Sequence, residues 1–319
     1  MRRGNLISES LPGDPDGQKK RSFSSFTTMG SSLPPIQSKP DSSHDWLLWR
    51  STASPERLAV KSGDEQLTYA ELQEKVSVLS GLLVAWGVRR GDRVCLLLNT
   101  SIFYVSLVHA LTRVGAVIVP LNPRQSSSEI LLQVSDCAPC LALYDEPFNL
   151  LIKEIRRKYA RLANEKRVSI HFKSSKELLD ADHRQVEKVE EGQEIKANSP
   201  HSIIYTSGST GFPKGVVLTA SNLMSNAVSF GTSYGTLTSD RWLLTMPLYH
   251  VGGYTIIFRS VMLGNAIVIL QSKFEAKAVS RSMDRDGVTL VSLVPTMLES
   301  LLKVRKKRLP KRLRFIFFG

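Results

Sequence analysis

The eleven residues from Tyr205 to Gly215 read YTSGSTGFPKG, and they lie between two short apolar runs of the kind that form strands. Three glycines let backbone N–H groups turn toward one point, and four Ser and Thr hydroxyls add further donors. Lys214 adds one positive charge, so the loop suits the oxygens of a polyphosphate. It differs from a Walker A loop, because Lys214 is followed by glycine and a strand and not by a Ser or Thr that opens a helix. A flexible hairpin loop with incidental Ser and Thr is the alternative interpretation.

The sequence around this loop alternates between helix-like and strand-like segments. Two capping-box patterns mark helix starts, one at Thr68 with Glu71 and one at Ser126 with Glu129. Strands are predicted at residues 94–98, 116–119, 140–144, 168–172, 202–205, 216–218, 242–245, 266–270, 289–293 and 314–318. This alternation predicts β-α-β units, and therefore an α/β fold with parallel-rich sheets and flanking helices.

Composition and charge exclude several classes of protein. The 319 residues are 42% hydrophobic, which excludes disorder throughout, and 20 Gly and 3 Cys exclude collagen-like and disulfide-rich chains. The formal charge of +13 is local: residues 150–188 carry 11 basic and 6 acidic side chains, and residues 303–314 carry 8 basic and none acidic. We therefore predict no nucleic-acid partner. The uncharged stretch 242–258 contains Pro, His and two Gly, so no transmembrane segment is predicted.

The ends and the cysteines complete this description. Residues 1–43 are rich in Ser, Pro and Gly and are predicted to be a disordered leader, so that the folded part begins at residue 44. No secretory signal is present, which predicts a cytoplasmic protein, or an organellar one if residues 1–43 act as a transit peptide. Cys137 and Cys140 form a C-x-x-C pattern after a helix, which favours structural thiols over a redox or metal site. The sequence predicts no oligomeric state.

Residues 205–215 resemble the signature loop of the adenylate-forming superfamily, with Ser209 where the usual loop has Thr. Further matches are LTYAEL at 67–72, GDRV at 91–94, PLNP at 120–123 and MPLYH at 246–250. The resemblance covers residues 44–319 and implies the large N-terminal domain of the adenylate-forming ligase fold. In that family an adenine motif, a ribose-binding Asp and a small C-terminal domain with a catalytic Lys follow later in the chain. We therefore expect a C-terminally truncated ligase that does not turn over by itself.

The resemblance implies an ATP-dependent carboxylate–CoA ligase, which forms an acyl-adenylate and then a thioester. ATP, Mg²⁺ and coenzyme A are the expected cofactor and co-substrates, and the partner is a small-molecule carboxylate. Residues 240–253, 258–261 and 293–298 most resemble the 2-succinylbenzoate–CoA ligases of menaquinone and phylloquinone biosynthesis. Another acyl-, aryl- or malonyl-CoA ligase is one alternative. A non-catalytic protein that keeps the loop and binds an acidic partner through residues 303–314 is another.

The resemblance also assigns roles to single residues. The phosphates of ATP are expected at Thr206, Ser207, Gly208, Ser209, Thr210, Gly211 and Lys214, with Mg²⁺ at Thr206. Lys214 and His250 are the expected catalytic residues, and His250 lies near the reacting carboxylate unless it is a hydrogen-bonded core histidine. Gly252 and Gly253 are expected in the substrate pocket, although ordinary packing uses such residues too. Arg259 stands among apolar residues, so it is expected to bind the second carboxylate of a dicarboxylic substrate, and the alternative is an ordinary surface or ion-paired Arg.

Overall fold

The structure is a computed structural model that describes residues 42–43, 45–163, 170–181, 189, 195–206, 213–270 and 274–318. The α-helices are α1 (Trp46–Ala53), α2 (Tyr69–Ala85), α3 (Ile102–Val114), α4 (Ser127–Cys137), α5 (Asn149–Ala163), α6 (Ser175–Leu179), α7 (Ala220–Tyr234), α8 (Val251–Leu263), α9 (Ala276–Arg285) and α10 (Pro295–Val304). The strands are β1 (Ser42–Ser43), β2 (Leu58–Ser62), β3 (Glu65–Thr68), β4 (Arg93–Leu97), β5 (Val117–Pro120), β6 (Leu141–Tyr144), β7 (His171–Ser174), β8 (Ile195–Lys196), β9 (Pro200–Thr206), β10 (Lys214–Thr219), β11 (Arg241–Leu244), β12 (Ala266–Ile269), β13 (Leu290–Leu293) and β14 (Phe315–Phe318).

Two six-stranded sheets form the centre of the molecule. The first has the strand order β10-β9-β5-β4-β6-β7, and the second has the order β14-β13-β11-β12-β2-β3. Neighbouring strands are parallel except in the outer pairs β9–β10 and β2–β3, which are antiparallel hairpins. The α/β prediction with parallel-rich sheets is therefore confirmed.

The buried residues arrange these sheets into layers. One apolar cluster joins the inner faces of both sheets to α2, α3 and α8, which lie between them. A second cluster packs α4 and α5 on the outer face of the first sheet, and a third packs α9 and α10 on the outer face of the second. Because α3 is covered on nearly all sides, 12 of its 13 residues are buried, including Arg113 and His109.

Local sequence signals mark the starts of two helices. Both predicted capping boxes are present, at the starts of α2 and α4. The C-x-x-C pair is predicted to follow the helix, but Cys137 is the last residue of α4, and Cys140 directly precedes β6. The hairpin β2–β3 was missed, although Gly63 and Asp64 between two short runs are a turn signal. The strand predicted at 168–172 is β7, which begins only at His171.

The predicted leader lies outside the described residues except for Ser42 and Ser43, which pair with β8. In the part of the chain that the structure describes, no helix is long and apolar enough to cross a membrane.

Candidate active site

The hairpin β9–β10 holds the two ends of the glycine-rich loop. Thr206 and Lys214 are direct cross-strand partners, and the Thr206 hydroxyl donates to the Lys214 carbonyl at 3.4 Å. Both residues are exposed, and the Lys214 ammonium has no ion pair with any described residue. The predicted phosphate ligands Ser207, Gly208, Ser209, Thr210 and Gly211 lie outside the described residues. The structure therefore places the two ends of the predicted cradle side by side.

Tyr205 fixes the direction in which this hairpin leaves the sheet. Its hydroxyl donates to Asp136 Oδ2 at 2.6 Å, at the end of α4, and burial together with this bond raises the pKa of Tyr205. Opposite Tyr205 in the ladder stands Gly215, where a Cβ would lie 2.8 Å from Ile203 Cγ2 and 3.2 Å from the Tyr205 ring. Only glycine fits that close approach. The hairpin is thus anchored to α4 before the loop begins.

A cleft of about 300 Å³ opens where strands of both sheets end. Its walls come from the segments after β4, β5, β11 and β12, and its polar lining comprises Asn99, Thr100, Tyr104, Arg124, Thr245 and Tyr249. Since β9 runs parallel to β5, Thr206 leaves the first sheet at the same edge. Ligands in open α/β sheets bind outside the carboxyl ends of parallel strands, so Thr206 at the end of β9 and the cleft share the expected edge.

His250 directly follows Tyr249 of the cleft and precedes the first residue of α8. Its side chain is exposed, and its ring packs against the Tyr249 ring at a centroid distance of 4.7 Å. Loss of solvent around the ring and the positive charge of Arg124 both lower the pKa of His250 below its usual value. Both effects favour the neutral imidazole.

The two predicted pocket glycines differ in what surrounds them. At Gly253 a Cβ would lie 2.4 Å from the Pro247 carbonyl oxygen and 2.5 Å from that of Met246. At Gly252 the nearest atom would be Met246 Cε at 3.9 Å. Gly253 is therefore required for α8 to start tightly against the segment that carries His250, whereas a methyl group at Gly252 would make only an ordinary van der Waals contact with Met246.

Arg259 lies on α8, half-buried between two aromatic rings. Its guanidinium carbon is 5.2 Å from the ring centroids of both Phe230 and Trp242, and its Nε donates to Asn226 Oδ1 at 2.6 Å. Burial lowers its pKa. Its two terminal nitrogens bond to no described residue, and Arg259 is not among the described residues that line the cleft. The guanidinium is thus held in place, and both terminal nitrogens have no hydrogen-bond partner among the described residues.

Several of these residues were not predicted from the sequence. Arg124 follows directly after the PLNP motif at 120–123, so that motif could have indicated a residue close to the site. Asp136 and Asn226 had no local signal, because each is defined only by a contact with a residue more than 30 positions away in sequence.

Comparison with known proteins shows consistent similarities. The model of the AMP-binding enzyme family matches residues 47–319. The chain is 32% identical over 277 residues to a 2-succinylbenzoate–CoA ligase of Bacillus cereus (strain Q1). The aligned region covers 86% of this chain and 53% of that protein. The chain spans about half the length of the curated relatives it matches.

Comparison with solved structures also finds coenzyme A synthetases. The o-succinylbenzoate coenzyme A synthetase of Bacillus subtilis in complex with ATP and magnesium ion has a TM-score of 0.78 at 33% identity, covering 87% of this chain and 55% of that one. The same enzyme has been solved with its acyl-adenylate intermediate, at a TM-score of 0.78, 32% identity and coverage of 87% and 68%. A fatty acyl CoA synthetase of Mycobacterium tuberculosis has a TM-score of 0.74 at 28% identity, with coverage of 86% and 54%.

Proposed function

The chain belongs to the family of AMP-binding enzymes, and on that premise we propose that it supplies the ATP- and acid-binding part of a carboxylate–CoA ligase. The acid we propose is 2-succinylbenzoate, because the similar enzyme of Bacillus cereus is a ligase for that acid. The observation that carries the proposal is the hairpin β9–β10, which holds the exposed Thr206 hydroxyl and Lys214 ammonium at the edge where the cleft opens.

The proposed reaction has two steps. A carboxylate oxygen of the acid attacks the α-phosphorus of ATP, and the bond to the leaving pyrophosphate breaks. The thiol sulfur of coenzyme A then attacks the acyl carbon, loses its proton, and AMP leaves with the bonding electron pair. In this proposal Lys214 and Thr206 stabilise the negative charge that develops on pyrophosphate.

Mg²⁺ fits this arrangement only together with the nucleotide. Within the described ranges, no three His, Cys, Asp or Glu side chains come close enough to hold a metal ion. Mg²⁺ often takes phosphate oxygens and few protein ligands, so the Thr206 hydroxyl and the ATP phosphates would hold it. When bound, the ion neutralises phosphate charge.

His250 is proposed to contact the reacting carboxylate. A neutral imidazole can donate one hydrogen bond to a carboxylate, and it does so without the full ion pair that would weaken the carboxylate as a nucleophile. The lowered pKa of His250 supports this role. Gly252 is proposed to leave room beside it for the acid, and Gly253 to let the segment that carries His250 lie tightly against the start of α8.

Arg259 is proposed to bind the second carboxylate of the acid. A half-buried guanidinium with two unused nitrogens suits a bidentate carboxylate, and Asn226 with the two flanking rings would fix its orientation.

ATP binding by the chain tests the proposal at its central observation. We expect Mg-ATP to bind in isothermal titration calorimetry, and Lys214→Ala to weaken binding at least about tenfold through the loss of a charge-assisted contact. Lys196→Ala removes an exposed lysine from β8 and serves as the matched control, which should bind like the unchanged chain. Equal affinities of the two variants would contradict the role of Lys214.

A fatty or aryl acid is the second candidate substrate, since the Mycobacterium tuberculosis relative is a fatty acyl CoA synthetase. Thermal shifts with ATP and a panel of acids separate the two: 2-succinylbenzoate should stabilise the chain more than long-chain fatty acids or benzoate do. Our proposal includes a cytoplasmic location, or an organellar one if residues 1–43 act as a transit peptide.

A further inference from the structure

The eight basic residues between Lys303 and Arg314 lie where α10 ends and the chain leads into β14. Four of them have an acidic partner in the fold. These ion pairs are Lys303 with Glu299 (2.6 Å), Arg305 with Asp284 (2.8 Å), Lys307 with Asp284 (2.9 Å), and Arg314 with Asp240. Arg305 is buried, so part of this charge is structural and is not available to a partner.

The other four basic residues are free for an external partner. Lys306, Arg308, Lys311 and Arg312 are exposed, and no acidic side chain among the described residues pairs with them. Three exposed aliphatic side chains stand in the same stretch of chain as these cations: Leu302 is 58% exposed, Val304 37% and Leu309 40%. We call residues 302–312 the basic segment.

We propose that the basic segment docks this protein on the surface of an anionic phospholipid bilayer. Headgroup phosphates would pair with the four free cations, and the three aliphatic side chains would enter the boundary between headgroups and acyl chains. Apolar side chains would gain nothing from the phosphate backbone of a nucleic acid. The basic segment also contains no aromatic residue on which a base could stack. The surface therefore fits lipid better than nucleic acid, and this inference does not depend on the proposed ligase activity.

Sedimentation with vesicles tests the proposal. We expect the chain to bind phosphatidylcholine vesicles that contain phosphatidylglycerol but not pure phosphatidylcholine, and to dissociate as NaCl is raised. Each Lys or Arg near an anionic surface contributes about fivefold to the partition constant, so Lys306→Ala with Lys311→Ala should lower it roughly 30-fold. Leu309→Ser should weaken binding while leaving the charge unchanged.

The double variant Lys153→Ala with Arg157→Ala is the matched control. It removes two exposed positive charges from α5, so its net charge equals that of the variant with Lys306→Ala and Lys311→Ala. It should bind vesicles nearly as well as the unchanged chain. An equal loss in this control would show that net charge alone attracts the protein, and would overturn the proposal. No binding to anionic vesicles, an unaffected Leu309→Ser variant, or tighter binding to single-stranded RNA at the same salt concentration would overturn it too.

Discussion

In our proposal, Arg259 is the residue that selects a dicarboxylic acid. With Arg259→Ala in a complete form of the proposed ligase we expect KM for 2-succinylbenzoate to rise about tenfold to a hundredfold, because a charge-assisted contact is lost, while KM for ATP changes little. Arg259→Lys should restore only part of the lost affinity for 2-succinylbenzoate, since an ammonium cannot bind a carboxylate with two nitrogens. A monocarboxylic analogue is the control, and its KM should be unaffected. Equal losses for ATP and the acid would instead indicate a structural role between Phe230 and Trp242.

Gly253 makes a prediction about stability. Gly253→Ala would force a methyl group against two carbonyl oxygens at 2.4 and 2.5 Å, so we expect a loss of about 2 kcal/mol or more in the free energy of unfolding. Gly252→Ala is the matched control one position away, where the new methyl meets only Met246 Cε at 3.9 Å. Alanine is a better helix former, so this control should be neutral or slightly stabilising. Urea denaturation measures both, and equal values would refute the packing argument.

At the scale of single residues, the sequence indicates which side chains could carry chemistry but not which residues they contact. Thr206 and Lys214 are predicted ligands because the spacing of the loop is specific, and in the structure they are cross-strand partners. Tyr205 lies in the same motif, but its bond to Asp136 could not be predicted, because it depends on how α4 packs against the first sheet.

At the scale of elements, Asp45 links three helices. Its carboxylate accepts from the amides of Leu47 and Leu48 at the start of α1, and it pairs with the buried Arg113 of α3 at 2.6 Å. Arg113 in turn donates to Ser77 and Gln73 of α2.

Asp45→Ala should therefore lower the free energy of unfolding by about 3–5 kcal/mol, since it leaves a buried charge unpaired and removes a helix cap. Asp45→Asn keeps an oxygen for the helix cap and should lower the free energy of unfolding by less than Asp45→Ala does. Urea midpoints rank the variants, and an Ala variant as stable as the unchanged chain would show that Arg113 finds other partners.

Elements with local signals were predictable, and those that depend on distant partners were less so. The capping boxes of α2 and α4 are reciprocal bonds within four residues, so sequence was enough to find them. The division of the strands into two sheets was not predicted, because β2 pairs with β12, some 200 residues later in the chain. Alternation indicates parallel pairing but does not say which strands are neighbours.

At the scale of the whole molecule, two buried histidines couple stability to pH. Burial lowers the pKa of His109 to about 4 and that of His201 to about 3, so both are neutral in the folded protein. The unfolded chain takes up these protons near pH 6.5, and stability is therefore present above that pH and lost as the pH falls.

Each histidine should cost about 1.4 kcal/mol per pH unit below 6.5, or about 4 kcal/mol for both at pH 5. Urea denaturation between pH 7 and pH 5 measures this loss. His201→Gln should reduce the pH dependence by about half, and an unchanged slope would show that other groups cause it.

The pairing of β2 with β12 has a consequence for synthesis on the ribosome. Val60 leaves the ribosome some 200 residues before its partner Ile267, which at 5–20 residues per second is roughly 10–40 s. During that interval β2 has no parallel neighbour, and its unpaired edge can associate with other nascent chains. Yield in the cell should therefore depend on translation rate and on chaperones that shield this early hairpin.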